Sequence, residues 1–131
     1  MTPHAGEMGR LLGMDAAAVQ KDRKTAVTEC VCRYAVTTVL KGEGTLTAFC
    51  DGSILTNTTG NPGMAKPGSG DMLGGMMVSL LAQGIPFEKA IPAAVYLHGM
   101  AGDVTAQQFT QRAMQVSDMI DNLPRVFKNF E

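Results

Sequence analysis

The segment that most constrains this chain runs Thr59-Gly60-Asn61-Pro62-Gly63-Met64-Ala65-Lys66-Pro67-Gly68-Ser69-Gly70-Asp71. Gly60 to Gly70 is so rich in glycine and proline that no regular structure is expected in it. From Asp71 to about Gln83 the chain is apolar and free of proline, which predicts a helix. Glycine adopts positive φ at little steric cost, so this backbone can come close to a ligand. It then runs directly into a helix N-terminus. There the free N–H groups of Ser69, Gly70 and the residues beyond can converge, and the helix dipole adds partial positive charge. Such an arrangement suits an anion, above all a phosphate. Asp71 stands at its mouth. A carboxylate so placed can accept a proton from a hydroxyl that attacks a phosphoryl group, as kinases use a positioned Asp. The plainer alternative is that Asp71 only caps its own helix.

Composition narrows the partners. The chain has 131 residues, a net charge of −1 and 45% hydrophobic residues, which bounds it to one domain. Charge so close to zero gives no electrostatic reason to expect nucleic acid or an anionic membrane. The longest apolar stretch, Met72 to Phe87, is interrupted by Gln83, Gly84 and Pro86. It falls short of the ~20 residues that cross a bilayer, and it reads as a buried helix. Met1-Thr2-Pro3-His4 shows no basic region followed by an apolar run, so no secretory signal is expected. Cys30, Cys32 and Cys50 are odd in number and lack ligand-pair spacing. Free thiols in a reducing cytoplasm, and no metal site, are expected.

The remaining elements follow from periodicity and breakers. His4 to Leu12 reads as a loop entering a short helix that Gly13 stops. Asp15 can cap a segment over Ala16 to Gln20. Val27, Cys30, Val31 and Tyr34 give helical spacing to Thr25–Tyr34. Ala35 to Leu40 predicts a buried strand, and Thr45 to Phe49 and Ser53 to Asn57 predict two more around an Asp51-Gly52 turn. Pro86 to Gln108 predicts one long helix. Val116 to Phe130 predicts one or two more, broken near Pro124. The class is α/β. It is lopsided, with too few strands to cover its apolar helices, and roughly half of a sheet is expected to lie outside this polypeptide. Self-association through strand edges and helix faces is therefore a competing expectation.

Asn61-Pro62-Gly63-Met64-Ala65 through Gly68-Ser69-Gly70-Asp71 resembles the signature of the NAD(P)H-hydrate dehydratases, of the ribokinase-like superfamily. Three further segments agree with it in order: Thr2-Pro3-His4-Ala5-Gly6-Glu7, Leu40-Lys41-Gly42-Glu43-Gly44-Thr45 and Tyr96-Leu97-His98-Gly99-Met100-Ala101-Gly102-Asp103. The resemblance implies a three-layer α/β/α sandwich of which residues 1–131 form the C-terminal half. It implies the dehydration of hydrated NADH and NADPH (NADHX and NADPHX), with ADP or ATP consumed alongside Mg2+. Asp71 would be the catalytic residue, with Gly68, Ser69 and Gly70 as its anion hole. Lys41, Gly42, Glu43, Gly44 and Thr45 would contact the nucleotide, as would Asn61, Pro62, Gly63, Met64, Ala65 and Gly70. His4, Gly6 and Glu7 would lie on the substrate side with Asp71. His98 is expected to be a core histidine, and no role is assigned to Asp103. Ala5 stands where the family commonly has proline, and Lys66-Pro67 where small polar residues are common. A ribokinase-like kinase of a small alcohol and an inactive, self-associating fragment are the alternatives; a homo-oligomer is expected.

Overall fold

His4 starts the first helix by an exchange of hydrogen bonds. In the computed structural model, which describes residues 1–130, its Nδ1 accepts from the N–H groups of Gly6 and Glu7 at 3.0 and 3.2 Å. Glu7 Oε2 accepts from the His4 N–H at 2.7 Å. This is a capping box with histidine in the place usually held by serine or threonine. Helix α1 (Ala5–Leu12) ends at Gly13 in the left-handed region, φ 75°. Helix α2 (Ala16–Lys21) is capped by Asp15, which accepts from Ala18 N–H at 2.7 Å. Helix α3 (Arg23–Tyr34) is capped by Asp22 and so begins two residues before the expected Thr25. Its buried residues Ala26, Val27, Cys30 and Val31 share one face. They form a core with Met8 and Leu12 of α1 and with Leu40, Leu46 and Ala48 of the sheet.

That sheet has three antiparallel strands in the order β1 (Thr38–Leu40), β2 (Leu46–Ala48) and β3 (Ile54–Thr56), with Val39 opposite Thr47 and Thr47 opposite Leu55. All three are shorter than expected. Ala35 is the left-handed cap of α3, φ 52°, and its N–H returns to Val31 O, so pairing starts only at Thr38. The Lys41–Thr45 turn is closed by Thr45 Oγ1 donating to Gly42 O at 2.8 Å. At the second turn Asp51 Oδ1 accepts from both the N–H and the hydroxyl of Ser53, beside Gly52 at φ 88°. These elements form one unit, Met1–Asn57.

The second unit, from Thr58 onward, is helical. A single 3-10 turn covers Pro62–Met64. Helix α4 spans Ser69–Ala82, α5 Phe87–Ala113, α6 Val116–Asp121 and α7 Leu123–Phe127, with a last 3-10 turn at Lys128–Phe130. Two expectations are corrected here. Gly60 to Gly70 is not wholly irregular, because Asn61 caps the Pro62–Met64 turn and α4 already includes Ser69 and Gly70. The apolar stretch from Met72 is buried on one side only: Met72, Leu73 and Met77 are inside, while Val78 is 66% exposed. Hydrophobicity alone did not identify which face would be covered. Helix α5 also runs past Gln108 to Ala113, with a break at Thr110 (φ 71°, ψ 155°).

Met72, Ala101, Met114, Met119 and Val126 make the core of this unit, with Met64, Met76 and Met100 packed around it. Unbranched thioethers fill such irregular spaces well. All three cysteines are free thiols. Among the described residues, no helix is long and apolar enough to cross a membrane.

Gly63 is one of several points where a side chain would meet close-packed neighbours. A Cβ there would lie 2.6 Å from Met114 Sδ and 2.7 Å from Gln111 O. Gly63→Ala is expected to destabilise the protein by about 1–3 kcal/mol, the usual cost of overpacking. A lowered thermal unfolding midpoint is the readout, and an unchanged midpoint would show that the turn is loosely held.

Candidate active site

Helix α4 begins without a side-chain cap. Its N-cap is Gly68, in the left-handed region at φ 89°, ψ −17°. Asp71 is therefore not the cap of its own helix, which removes the plainer reading of that residue. It is the third helical residue and is exposed. A carboxylate in the first turn interacts favourably with the dipole. Of the three amides expected to form an anion hole, Ser69 N–H is engaged, donating to Lys66 O at 3.2 Å. The N–H groups of Gly70 and Asp71 fall in the first turn, where no intrahelical carbonyl is available to them. Such a group of donors, with the dipole behind it, favours an anion such as phosphate.

The loop before α4 is tied to α5 at several points. Thr59 Oγ1 donates to Tyr96 O at 2.8 Å. Asp103 accepts from Gly60 N–H at 2.8 Å and from Asn61 Nδ2 at 2.9 Å. Asn61 Oδ1 in turn accepts from Gly63 N–H at 3.0 Å. Lys66 Nζ donates to the carbonyls of Arg112 and Met114 at the end of α5. The Lys66-Pro67 departure thus has a structural use, as a tie to that helix end.

Asp103 is the residue that sequence reasoning missed. A usable signal was present. Gly99, Gly102 and Asp103 fall at the i, i+3, i+4 spacing that puts residues on one helical face. Two glycines make that face bare enough for backbone to approach, and the polar residue beside them can hold what arrives.

His98 is a core histidine, as expected. It is 8% exposed, and its Nε2 lies 3.3 Å from Ser69 Oγ, at the first residue of α4. Burial pushes its pKa below the ordinary histidine value, and the contact with Ser69 offsets this in part. An apolar groove of about 560 Å³ in the same unit is lined by α4, α5, α6 and α7 residues, Met76, Leu80 and Phe127 among them, and not by Asp71.

The first unit gathers a second set of expected residues. Glu7 Oε1 lies 3.5 Å from His4 Nε2, and Glu7 Oε2 lies 3.8 Å from Lys41 Nζ. The His4 N–H hydrogen bond is the main influence holding the Glu7 carboxyl below its usual range; slight burial opposes it, and the charges of Lys41, His4 and Arg10 add to it. Gly6 stands beside the His4 ring, where a Cβ would lie 3.1 Å from His4 Cε1. Lys41 is half-buried, Gly42 and Glu43 are exposed, and Gly44 has φ 59°. Arg23, also missed from sequence, donates to Leu40 O at 3.0 Å and braces the start of the Lys41–Thr45 turn. Asn61–Ala65, Ser69, Gly70 and Asp71 belong to the other unit.

The His98 environment sets a pH dependence. With its folded pKa below 6.5, the unfolded chain takes up the proton first as pH falls. Stability is therefore complete above the ordinary histidine value and declines as pH drops from about 6.5 toward the folded value. His98→Gln is expected to remove that share of the decline. Denaturant midpoints measured across this window would show it, and an identical slope in wild type and variant would contradict it.

The family model described as NAD(P)H-hydrate dehydratase matches residues 1–125. The bifunctional NAD(P)H-hydrate repair enzyme of Moorella thermoacetica is 46% identical over 131 residues, covering 100% of this chain and 25% of that protein. The ADP-dependent (S)-NAD(P)H-hydrate dehydratase of Bacillus subtilis is 37% identical, covering 100% of this chain and 48% of its own length. A crystal structure of the Bacillus subtilis ADP/ATP-dependent dehydratase, co-crystallised with ATP/Mg2+, superposes with a TM-score of 0.95 at 37% identity, covering 99% of this chain and 47% of that one. A ribokinase-like superfamily protein from Enterococcus faecalis gives 0.83 at 33% identity, covering 98% and 43%. The α/β fold is thus ribokinase-like, and the chain spans between a quarter and a half of the length of these relatives. A match over residues 1–125, in a chain whose glycine-capped helix start fits a phosphate, shows that it belongs to the NAD(P)H-hydrate dehydratase family.

Proposed function

We propose that this chain carries the phosphate-binding and catalytic part of a nucleotide-dependent NAD(P)H-hydrate dehydratase, residues 1–131 being the C-terminal half of its ribokinase-like domain. The observation that carries the reading is the start of α4, a left-handed Gly68 with no side-chain cap and Asp71 in the first turn. Asp71 takes the proton of the hydrate's hydroxyl as that oxygen attacks a phosphoryl group. The N–H groups of Gly68, Gly70 and Asp71 stabilise the charge that gathers on the phosphoryl oxygens. Ser69 contributes less through its amide, which Lys66 O already holds. The terminal phosphoanhydride bond of the nucleotide breaks as the new O–P bond forms, AMP or ADP departs, and the former hydroxyl then leaves as phosphate while the ring loses a proton.

Lys41 offers a point charge to the nucleotide, and Gly42, Glu43, Gly44 and Thr45 shape the turn that presents it. The Asn61–Ala65 backbone is a further nucleotide-contacting segment, in the other unit. His4, Gly6 and Glu7 serve the hydrated nicotinamide side. Mg2+ keeps much of its water and binds through phosphates with one or two carboxylates, so it needs no protein cage. Exposed apolar residues such as Val78 and Phe127 support self-association, and three free thiols fit the cytoplasm.

Asp71→Asn keeps the shape of the helix start and removes the proton acceptor. In the complete ribokinase-like domain it is expected to lower turnover by at least ~100-fold, the lower end of general-base contributions, and to retain nucleotide binding. The assay is recovery of dihydronicotinamide absorbance when hydrated NADH receives ADP or ATP. Near-normal turnover would refute the role of Asp71. A stable phosphorylated product, with no recovery, would point instead to a small-alcohol kinase.

A further inference from the structure

We propose that Asp103 is a positioning residue for the phosphate-binding turn, acting through Asn61. This rests on the reading of the α4 start as a phosphate site. Both oxygens of Asp103 are in use: Oδ2 holds Gly60 N–H at 2.8 Å and Oδ1 holds Asn61 Nδ2 at 2.9 Å. Among the described residues no lysine or arginine forms an ion pair with it. Its charge is spent on neutral donors of one loop, and hydrogen bonds with one ionised partner are about twice as strong as neutral ones.

Asn61 passes the constraint on. Its Oδ1 holds Gly63 N–H at 3.0 Å, which starts the Pro62–Met64 turn. The backbone then continues without a gap. Asn61 O accepts from Met64 N–H at 3.1 Å, Met64 O from Lys66 N–H at 2.8 Å, and Lys66 O from Ser69 N–H at 3.2 Å. A line of hydrogen bonds therefore runs from Asp103 to the first residue of α4. Packing fixes where it is anchored, because a Cβ on Gly99 or Gly102 would run into Thr59 or Met64. The Asn61 side chain thus serves the loop, and the loop's backbone is what faces a ligand.

An exchange of the two side chains tests this. In Asp103→Asn a new amide donor faces the Asn61 amide; in Asn61→Asp two carboxylates face each other. In the double variant, which carries both substitutions, the amide at position 103 would donate to the carboxylate at position 61. Both Gly60 and Gly63 N–H groups would then keep an acceptor. Binding of MgATP and MgADP by calorimetry, thermal unfolding, and hydrogen exchange at the Gly60 and Gly63 amides are measured for all four proteins. Each single variant is expected to weaken nucleotide binding about tenfold or more, the size of one lost charged hydrogen bond, and to speed exchange at both amides. The double variant is expected to recover most of both, including where a single variant fails to fold. Wild-type affinity in Asp103→Asn, or a double variant no better than the worse single one, overturns the proposal on its own ground. If wild type binds neither nucleotide, the phosphate-site reading falls and takes this proposal with it; the exchange rates then report only whether the tie itself exists.

Discussion

The approach of the Thr59–Met64 backbone to a bare face of α5 determines how the second unit is arranged around its loop. Gly99 and Gly102 leave no side chain between helix and loop. Thr59 and Asp103 then hold the arriving chain by its hydroxyl and its N–H groups. Once Gly60 is placed, Asn61 reaches Asp103, the Pro62–Met64 turn forms, and Lys66 meets the far end of α5. The start of α4 is the last consequence. Its position relative to α5 is inherited from contacts several residues upstream.

Helix starts in this protein differ in whether a side chain satisfies their N–H groups. Helices α1, α2 and α3 use their own side chains, from His4, Asp15 and Asp22. Helix α4 does not, and neither does α5, so a missing cap alone would identify nothing. What distinguishes α4 is the combination of a left-handed glycine cap, a loop held rigidly before it and a carboxylate in its first turn. Unpaired N–H groups favour an anion, and the dipole adds to the effect over about one turn. A negatively charged side chain beside that anion requires the anion to be held firmly by the amides. Neutral burial of His98 behind Ser69 avoids adding a further charge to the balance.

Much of this was legible in the sequence where a local rule decided the outcome. Gly13, Asp15 and the Asp51-Gly52 turn act through their own backbone and side chains, and the structure has them as expected. The buried face of α3 was readable at Val27, Cys30 and Val31, whose spacing is the helix's own; Tyr34, expected with them, is exposed, and Ala26 is buried as well. The family was legible in Asn61–Asp71, and residue matching there carried the functional expectation. Boundaries failed where two rules competed. Ala35 begins a β-branched run, yet it ends α3 in the left-handed region. Ser69 and Gly70 look like loop residues, yet they are helical because Gly68 already makes the turn. Arg23 was missed because it acts on carbonyls far along the chain, whereas Asp103 and the capping use of His4 left local signals, a helical-face spacing and a capping box with an unusual first residue.

On the reading proposed above, the first-turn amides of α4 bind a nucleotide's phosphates. Backbone amide NMR during titration with ADP or ATP tests it most directly. The largest shifts are expected on Gly68, Gly70 and Asp71, saturating together, with inorganic phosphate at higher concentration moving the same signals. Saturable nucleotide binding that leaves those three amides unmoved would contradict it.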